Sequence, residues 1–191
     1  MNLLHNEKGG KNMKIVALIG SLRKDSYNKQ LALTIQERFA SKFDLEILDL
    51  GILPHYNQDE EFNPAEAVVE FKQKVKEADG VIIVTPEYNW SIPGVLKNAL
   101  DWLSRVDKVL IGKPVMTAGA ATGLMGTLRA QLQLRQILTA LQVNLLPPMG
   151  NEILINQAMT KFDQQTGRLS DETTVKFVDE VVLRFINLIK E

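Results

Sequence analysis

Cysteine is missing from the 191-residue chain, and histidine occurs only at His5 and His55. The first absence excludes disulfides, thiolate nucleophiles and cysteine-held metals, and it suits a reducing cytoplasm. The second leaves almost no material for a histidine-based triad or a multi-histidine metal site. Net charge is scarce too, at −1. That gives no electrostatic case for nucleic acid or for an anionic membrane surface. Long apolar runs are lacking, because the softest stretch, residues 109–126, is broken by Gly112, Lys113 and Pro114. Residues 1–12 hold no apolar core of signal-peptide length. A cytoplasmic protein is expected.

What is there fits one globular domain. Hydrophobic residues make up 45% and charged residues 24% of the chain, and a domain of this length buries most of the surface its unfolded form exposes. The first periodic element begins near Met13. Lys14-Ile-Val-Ala-Leu-Ile19 is a continuous apolar run ended by Gly20, as a parallel strand covered on both faces requires. A helix follows to about Ala40, with Leu31, Ile35 and Phe39 on one stripe. Leu45, Ile47, Leu48 and Leu50 mark a second strand. Asn63-Pro64 reads as N-cap and first helical position of the next helix, which carries Val68, Phe71, Val75 and Ala78.

Gly80-Val-Ile-Ile-Val84 is a third strand, and Val95, Leu96, Ala99, Leu100 and Leu103 line the helix after it. Pro114-Val-Met-Thr-Ala118 is a fourth strand, followed by a glycine-rich turn at residues 119–126. A helix at residues 127–141, a strand near residues 143–146 and a last helix capped by Ser170 complete the pattern. Residues 149–169 fit it least and read as an excursion carrying an extra short strand.

Strands alternate with helices, so right-handed crossovers build a doubly wound α/β domain with helices on both faces. Five parallel strands fit the flavodoxin-like order 2-1-3-4-5 over residues 13–191. Residues 1–12 are expected to be an N-terminal extension outside the fold. Lys8-Gly9-Gly10 reads as a translated purine-rich ribosome-binding site, which would put the natural start at Met13.

In such a sheet ligands bind beyond the carboxyl ends of the strands, where the strand order reverses, here between strands one and three. The two most unusual loops of the sequence follow those strands. Gly20-Ser-Leu-Arg-Lys-Asp-Ser-Tyr-Asn28 offers hydroxyls at Ser21 and Ser26, an amide at Asn28, the guanidinium of Arg23 and an open helix N-terminus. Those groups can surround a phosphate. The spacing is neither that of a P-loop nor of a dinucleotide fingerprint, and the bland reading is a solvated loop whose Ser26 caps a helix. The second loop is Thr85-Pro-Glu-Tyr-Asn-Trp-Ser-Ile-Pro-Gly94. Pro86 and Pro93 stiffen it, and Tyr88 and Trp90 could lie along a flat ring. Trp90 by itself reads as packing into a core or an interface.

Together with the continuation Val-Leu-Lys-Asn-Ala-Leu-Asp-Trp102, these loops resemble the NADPH-dependent FMN reductase family, which includes bacterial quinone, azo-dye and chromate reductases. The resemblance runs from Met13 to the C-terminal helix. It implies bound FMN, with NADPH or NADH as co-substrate and a quinone or other small molecule as acceptor. Ser21, Arg23, Ser26 and Asn28 would hold the FMN phosphate. Pro86, Glu87, Tyr88, Asn89 and Trp90 would line the isoalloxazine, largely through their backbones. The turn Thr117-Ala-Gly-Ala-Ala-Thr-Gly123 stands where the family has a third flavin loop, so Gly119, Ala120 and Thr122 carry over, although serines are commoner there.

The implied chemistry is ping-pong hydride transfer carried by the flavin, with no catalytic side chain, which explains how so histidine-poor a chain can be an enzyme. His55 reads as a solvated loop residue. A non-catalytic flavodoxin-type carrier is the first alternative, though such carriers are strongly acidic. A flavin-binding regulatory module is the second. Residues 127–141 carry only Arg129 and Arg135 as charges, with leucines on more than one face. We expect this helix to form a homodimer or homotetramer interface with Arg129 in it, the alternative being a well-covered core helix.

Overall fold

The computed structural model describes residues 13–191, and the expectation for residues 1–12 falls outside them. The elements are β1 (Met13–Ile19), α1 (Tyr27–Arg38), β2 (Phe43–Leu48), α2 (Glu66–Glu77), β3 (Gly80–Val84) and α3 (Gly94–Leu103), then β4 (Pro114–Ala120), α4 (Leu128–Ala140), β5 (Asn144–Leu145), β6 (Ile153–Ile155), α5 (Ala158–Lys161) and α6 (Glu172–Lys190). All strand pairs are parallel, in the order β2-β1-β3-β4-β5. That is the expected doubly wound order.

The extra short strand expected within residues 149–169 is β6, and it joins the same sheet. β5 pairs with Pro114 and Val115, while β6 pairs with Ala118, Gly119 and Ala120 on the same edge of β4. The fifth position is therefore one strand interrupted by residues 146–152. The cause is local: Pro147 and Pro148 have no N–H to give to β4, and Gly150 turns the chain at φ 74°.

Alternation along β1 sends Ile15, Ala17 and Ile19 to the side covered by α1 and α6. Val16 and Leu18 go to the side covered by α2, α3 and α4. A strand with both faces dry must be apolar at successive positions, which is why β3 is buried at every residue.

Two helix starts differ from expectation. The residue before α2 in capping geometry is Ala65, not Asn63, whose N–H instead closes a turn on Glu60 O at 3.1 Å. The cap of α6 is Asp171, which accepts from the Thr174 N–H at 2.9 Å, while the Ser170 hydroxyl donates to Lys161 O at 3.3 Å. At α6 two adjacent capping-type residues compete and Asp171 takes the cap, whereas α2 starts after Ala65 with no side-chain cap. Among the described residues no helix is long and apolar enough to cross a membrane.

The caps make a pH prediction. Hydrogen bonds from the Thr174 hydroxyl and N–H hold the Asp171 carboxyl below the usual carboxylate range, and the Thr166 N–H and hydroxyl do the same for Asp163. A lowered folded pKa gives stability that is present above the unfolded carboxylate range, about 4, and lost as pH falls through the folded values. Asp163→Asn/Asp171→Asn should thus melt below the parent at neutral pH, with the gap closing on acidification. Melting curves over a pH series check this, and a constant gap would refute it.

Candidate functional site

The loop after β1 is held at both ends. The Gly20 N–H donates to Val84 O at 2.9 Å. A Cβ on Gly20 would lie 3.0 Å from Thr85 Oγ1 and 3.2 Å from Pro86 Cδ, so glycine lets this loop touch the next one. Ser21 Oγ accepts from the Arg23 N–H at 3.4 Å, and the Ser26 N–H returns to Arg23 O at 3.2 Å. Ser26 caps α1 by accepting from the Asn28 N–H at 3.2 Å. The N–H groups of Tyr27 and Lys29, in the first turn of α1, have no partner within the helix.

Arg23 is exposed, its guanidinium 5.8 Å from the Tyr27 ring centre, and it meets no carboxylate among the described residues. A cation without an anion beside an open helix start is the donor set a phosphate needs.

Asn28 is more committed than the sequence suggests. Its Nδ2 donates to Ala120 O and its Oδ1 accepts from the Ala120 N–H, both at 2.9 Å, across 92 residues of sequence. Buried at 3% exposure, it ties the start of α1 to the end of β4. One Nδ2 hydrogen remains for a ligand.

The loop after β3 is equally fastened. The Thr85 N–H donates to Ala118 O at 2.9 Å and its hydroxyl to Pro86 O at 2.8 Å. Pro86 is buried. Glu87 does not offer its side chain to a ring: its Oε2 accepts from the N–H groups of Arg129 at 2.9 Å and Ala130 at 3.1 Å. It caps α4 from another loop, the preceding Thr127 making no side-chain cap bond.

Tyr88 and Ser91 exchange both backbone hydrogen bonds, at 3.0 and 2.9 Å, around Asn89 at φ 51° and Trp90 at φ 64°. This is a two-residue hairpin turn with both central residues left-handed. Asparagine accepts that geometry readily; a bulky aromatic adopts it only when held. The holding is visible. The Arg129 guanidinium lies 4.2 Å from the Trp90 ring centre. Gln133 Nε2 donates to Trp90 O at 3.1 Å, and Ser91 Oγ donates to Gln133 Oε1 at 2.6 Å. Trp90 faces outward at 66% exposure rather than packing into a core.

The third loop starts later than expected, since Gly119 and Ala120 belong to β4. Gly119 is irreplaceable on space alone: a Cβ there would lie 2.0 Å from Thr127 Oγ1 and 2.5 Å from Thr85 O. Ala120 spends its N–H on Asn28. Thr122 is exposed. Beneath this loop, buried Gln131 accepts from the Thr117 hydroxyl at 2.9 Å and donates to Thr127 Oγ1 at 3.0 Å and Ile153 O at 2.9 Å. Gln131 and Thr85 are positioning groups the sequence reading missed. The available signal was Thr127 and Gln131 four apart on one helix face.

Helix α4 is more of a core helix than expected. Ala130, Gln131, Leu134 and Leu138 are buried, and the outer face is largely polar apart from Leu132 at 51% exposure. Arg135 turns inward to donate to Leu146 O at 3.1 Å. His55 is exposed and touches none of these groups.

Residues 13–159 match the family described as NADPH-dependent FMN reductase. The chain is 36% identical over 185 residues to the NADH-dependent flavin reductase subunit 2 of Lactobacillus johnsonii, covering 94% of this chain and 98% of that one. It is 39% identical over 181 residues to the 2-hydroxy-1,4-benzoquinone reductase of a Burkholderia species, covering 94% and 97%. Among solved structures it is similar to the flavoenzyme NAD(P)H:(acceptor) oxidoreductase FerB from Paracoccus denitrificans, with TM-score 0.85, 32% identity, and 93% and 97% of the two chains covered.

Proposed function

The chain belongs to the NADPH-dependent FMN reductase family and is an FMN-dependent oxidoreductase; from that premise we propose that Ser21, Arg23, Ser26 and Asn28 grip the FMN phosphate and residues 86–90 border the ring. The observation that carries this is the meeting of three loops at the carboxyl ends of β1, β3 and β4, with Arg23, which meets no carboxylate among the described residues, at their edge. The residues present fit the group. Ser21, Ser26, Arg23 and the first turn of α1 supply the phosphate donors, and Asn28 adds its remaining hydrogen. Gly20 and Gly119 let the loops touch: a Cβ at Gly20 would press on Thr85 Oγ1 and Pro86 Cδ at 3.0 and 3.2 Å, and one at Gly119 would clash with Thr85 O at 2.5 Å. Pro86 and the turn at Asn89 offer a rigid main-chain edge to the ring. Glu87 serves through α4, and Ala120 through Asn28, which leaves Thr122 as the free side chain of the third loop.

FMN, when bound, supplies the hydride chemistry between reduced nicotinamide and acceptor. The protein supplies orientation. Tyr88, at 51% exposure, and Trp90 present flat faces beside the ring loop, and flat, conjugated acceptors of the quinone class suit them. NADPH or NADH oxidation by the flavin-loaded protein, with quinones, azo dyes, free FMN and metal oxyanions as acceptors, tests the reading. Turnover with parallel double-reciprocal lines is expected, because one pocket serves donor and acceptor in turn. Negligible oxidation with every acceptor would overturn it and favour a carrier.

Arg23→Ala should raise the FMN dissociation constant about tenfold, or about 1.4 kcal/mol, with the melting temperature of the apoprotein unchanged. Fluorescence titration with FMN checks this. Equal affinity would remove Arg23 from the site.

We also propose that copies of the chain associate as a homodimer or homotetramer through the outer face of α4, around Leu132. Leu132→Glu should lower the mass seen by light scattering. A parent that is monomeric at micromolar concentration would refute this.

A further inference from the structure

Loop 20–28 borders a second cleft on its far side, towards β2. It has a volume of about 340 Å3, and Ser21, Leu22, Arg23, Lys24, Lys29 and Asp49 are among its walls. Seven cations of the described residues hold a carboxylate within 4 Å: Arg38, Lys74, Lys76, Lys97, Arg129, Arg168 and Arg184. Lys24 and Lys29 are exposed and meet none among the described residues. The acid of the cleft, Asp49, is turned to the Gly51 N–H at 2.8 Å. Leu22, at 61% exposure, lies against the turn at Gly51 as an apolar wall.

The cleft shares Ser21 and Arg23 with the proposed FMN phosphate site, so the charge left over decides what else it can hold. A phosphomonoester carries about −1.5 to −2 at neutral pH, and Arg23 with the start of α1 supplies roughly +1.5. Two lysines remain for a second anion of the same class. A dinucleotide whose nicotinamide lies on the ring loop must place its adenosine elsewhere, and NADPH differs from NADH by one phosphomonoester on that adenosine. We propose that Lys24 and Lys29 bind the 2′-phosphate of NADPH, with the adenosine in the cleft beside Leu22, and so set the preference for NADPH over NADH. The proposal rests on the reductase reading above.

Two measurements on the FMN-loaded protein test it. In calorimetry, adenosine 2′,5′-bisphosphate should bind about tenfold more tightly than adenosine 5′-monophosphate, and Lys24→Gln/Lys29→Gln should erase the difference. In steady-state assays the same variant should raise KM for NADPH about tenfold, leaving KM for NADH, kcat and FMN affinity at parent values. Equal binding of the two adenosine phosphates by the parent overturns the proposal. So does a variant that loses FMN affinity, or one that shifts both nicotinamides alike. A parent that oxidises neither nicotinamide defeats the reductase reading instead, and the calorimetric preference is still measurable then.

Discussion

Gly119→Val should cost the protein its flavin and about 3 kcal/mol of stability, lowering the melting temperature by roughly 6–12 °C. The added Cβ would sit 2.0 Å from Thr127 Oγ1, 2.9 Å from Thr127 Cβ and 2.5 Å from Thr85 O. A side chain can rotate away; a backbone carbonyl at the end of a buried strand cannot. Relief would have to come from moving β4 off β3, just where Thr85 and Ala118 join them, or from tearing Thr127 out of its bond to Gln131. Either movement spreads the loops of the site. Gly119→Ala suffers the same clash, and adding Thr127→Ala clears only the Oγ1 contact, so the double variant should recover little. Flavin absorbance per chain and calorimetric melting read the two effects. Full flavin occupancy in Gly119→Val would mean that the loops do not converge as described.

Glu87→Ala is expected to destabilise by about 2 kcal/mol and to weaken FMN binding severalfold without touching the phosphate end. The side chain is only 13% exposed, and it is the acceptor for two N–H groups of α4. Removing it strands those donors and releases Arg129, whose guanidinium steadies Trp90 in its left-handed turn. Glu87→Gln keeps an oxygen for the cap but no charge, and should fall between parent and alanine variant. Chemical denaturation and FMN titration of all three chains test the order. An alanine variant as stable as its parent would show that the cap is idle.

Much of the architecture was legible because it is written in short range. The buried runs of β1 and β3, the stripes of α1 and α2 and the glycine after β1 each follow from local periodicity, and their alternation dictates the sheet order. What escaped was settled between distant residues. Nothing near Asn28 announces that its amide belongs to Ala120, and nothing near Glu87 says that it caps a helix 42 positions on. The extra short strand was legible in residues 149–169, but its place beside the end of β4 was not. The leucines of α4 were miscounted outward because a sequence shows a helix's stripe but not how wide a floor it stands on.

The broken edge of the sheet has an outcome of its own. A parallel sheet left open on two sides offers rows of backbone groups on which foreign strands could grow. On one side β2 carries Asp44 and Glu46 at exposed positions. On the other, β5 is two residues long and the chain departs at once through Pro147 and Pro148. Neither border offers an incoming strand a long, uncharged template. Pairing of copies through their sheet edges is thereby disfavoured, and with it open-ended growth into fibres.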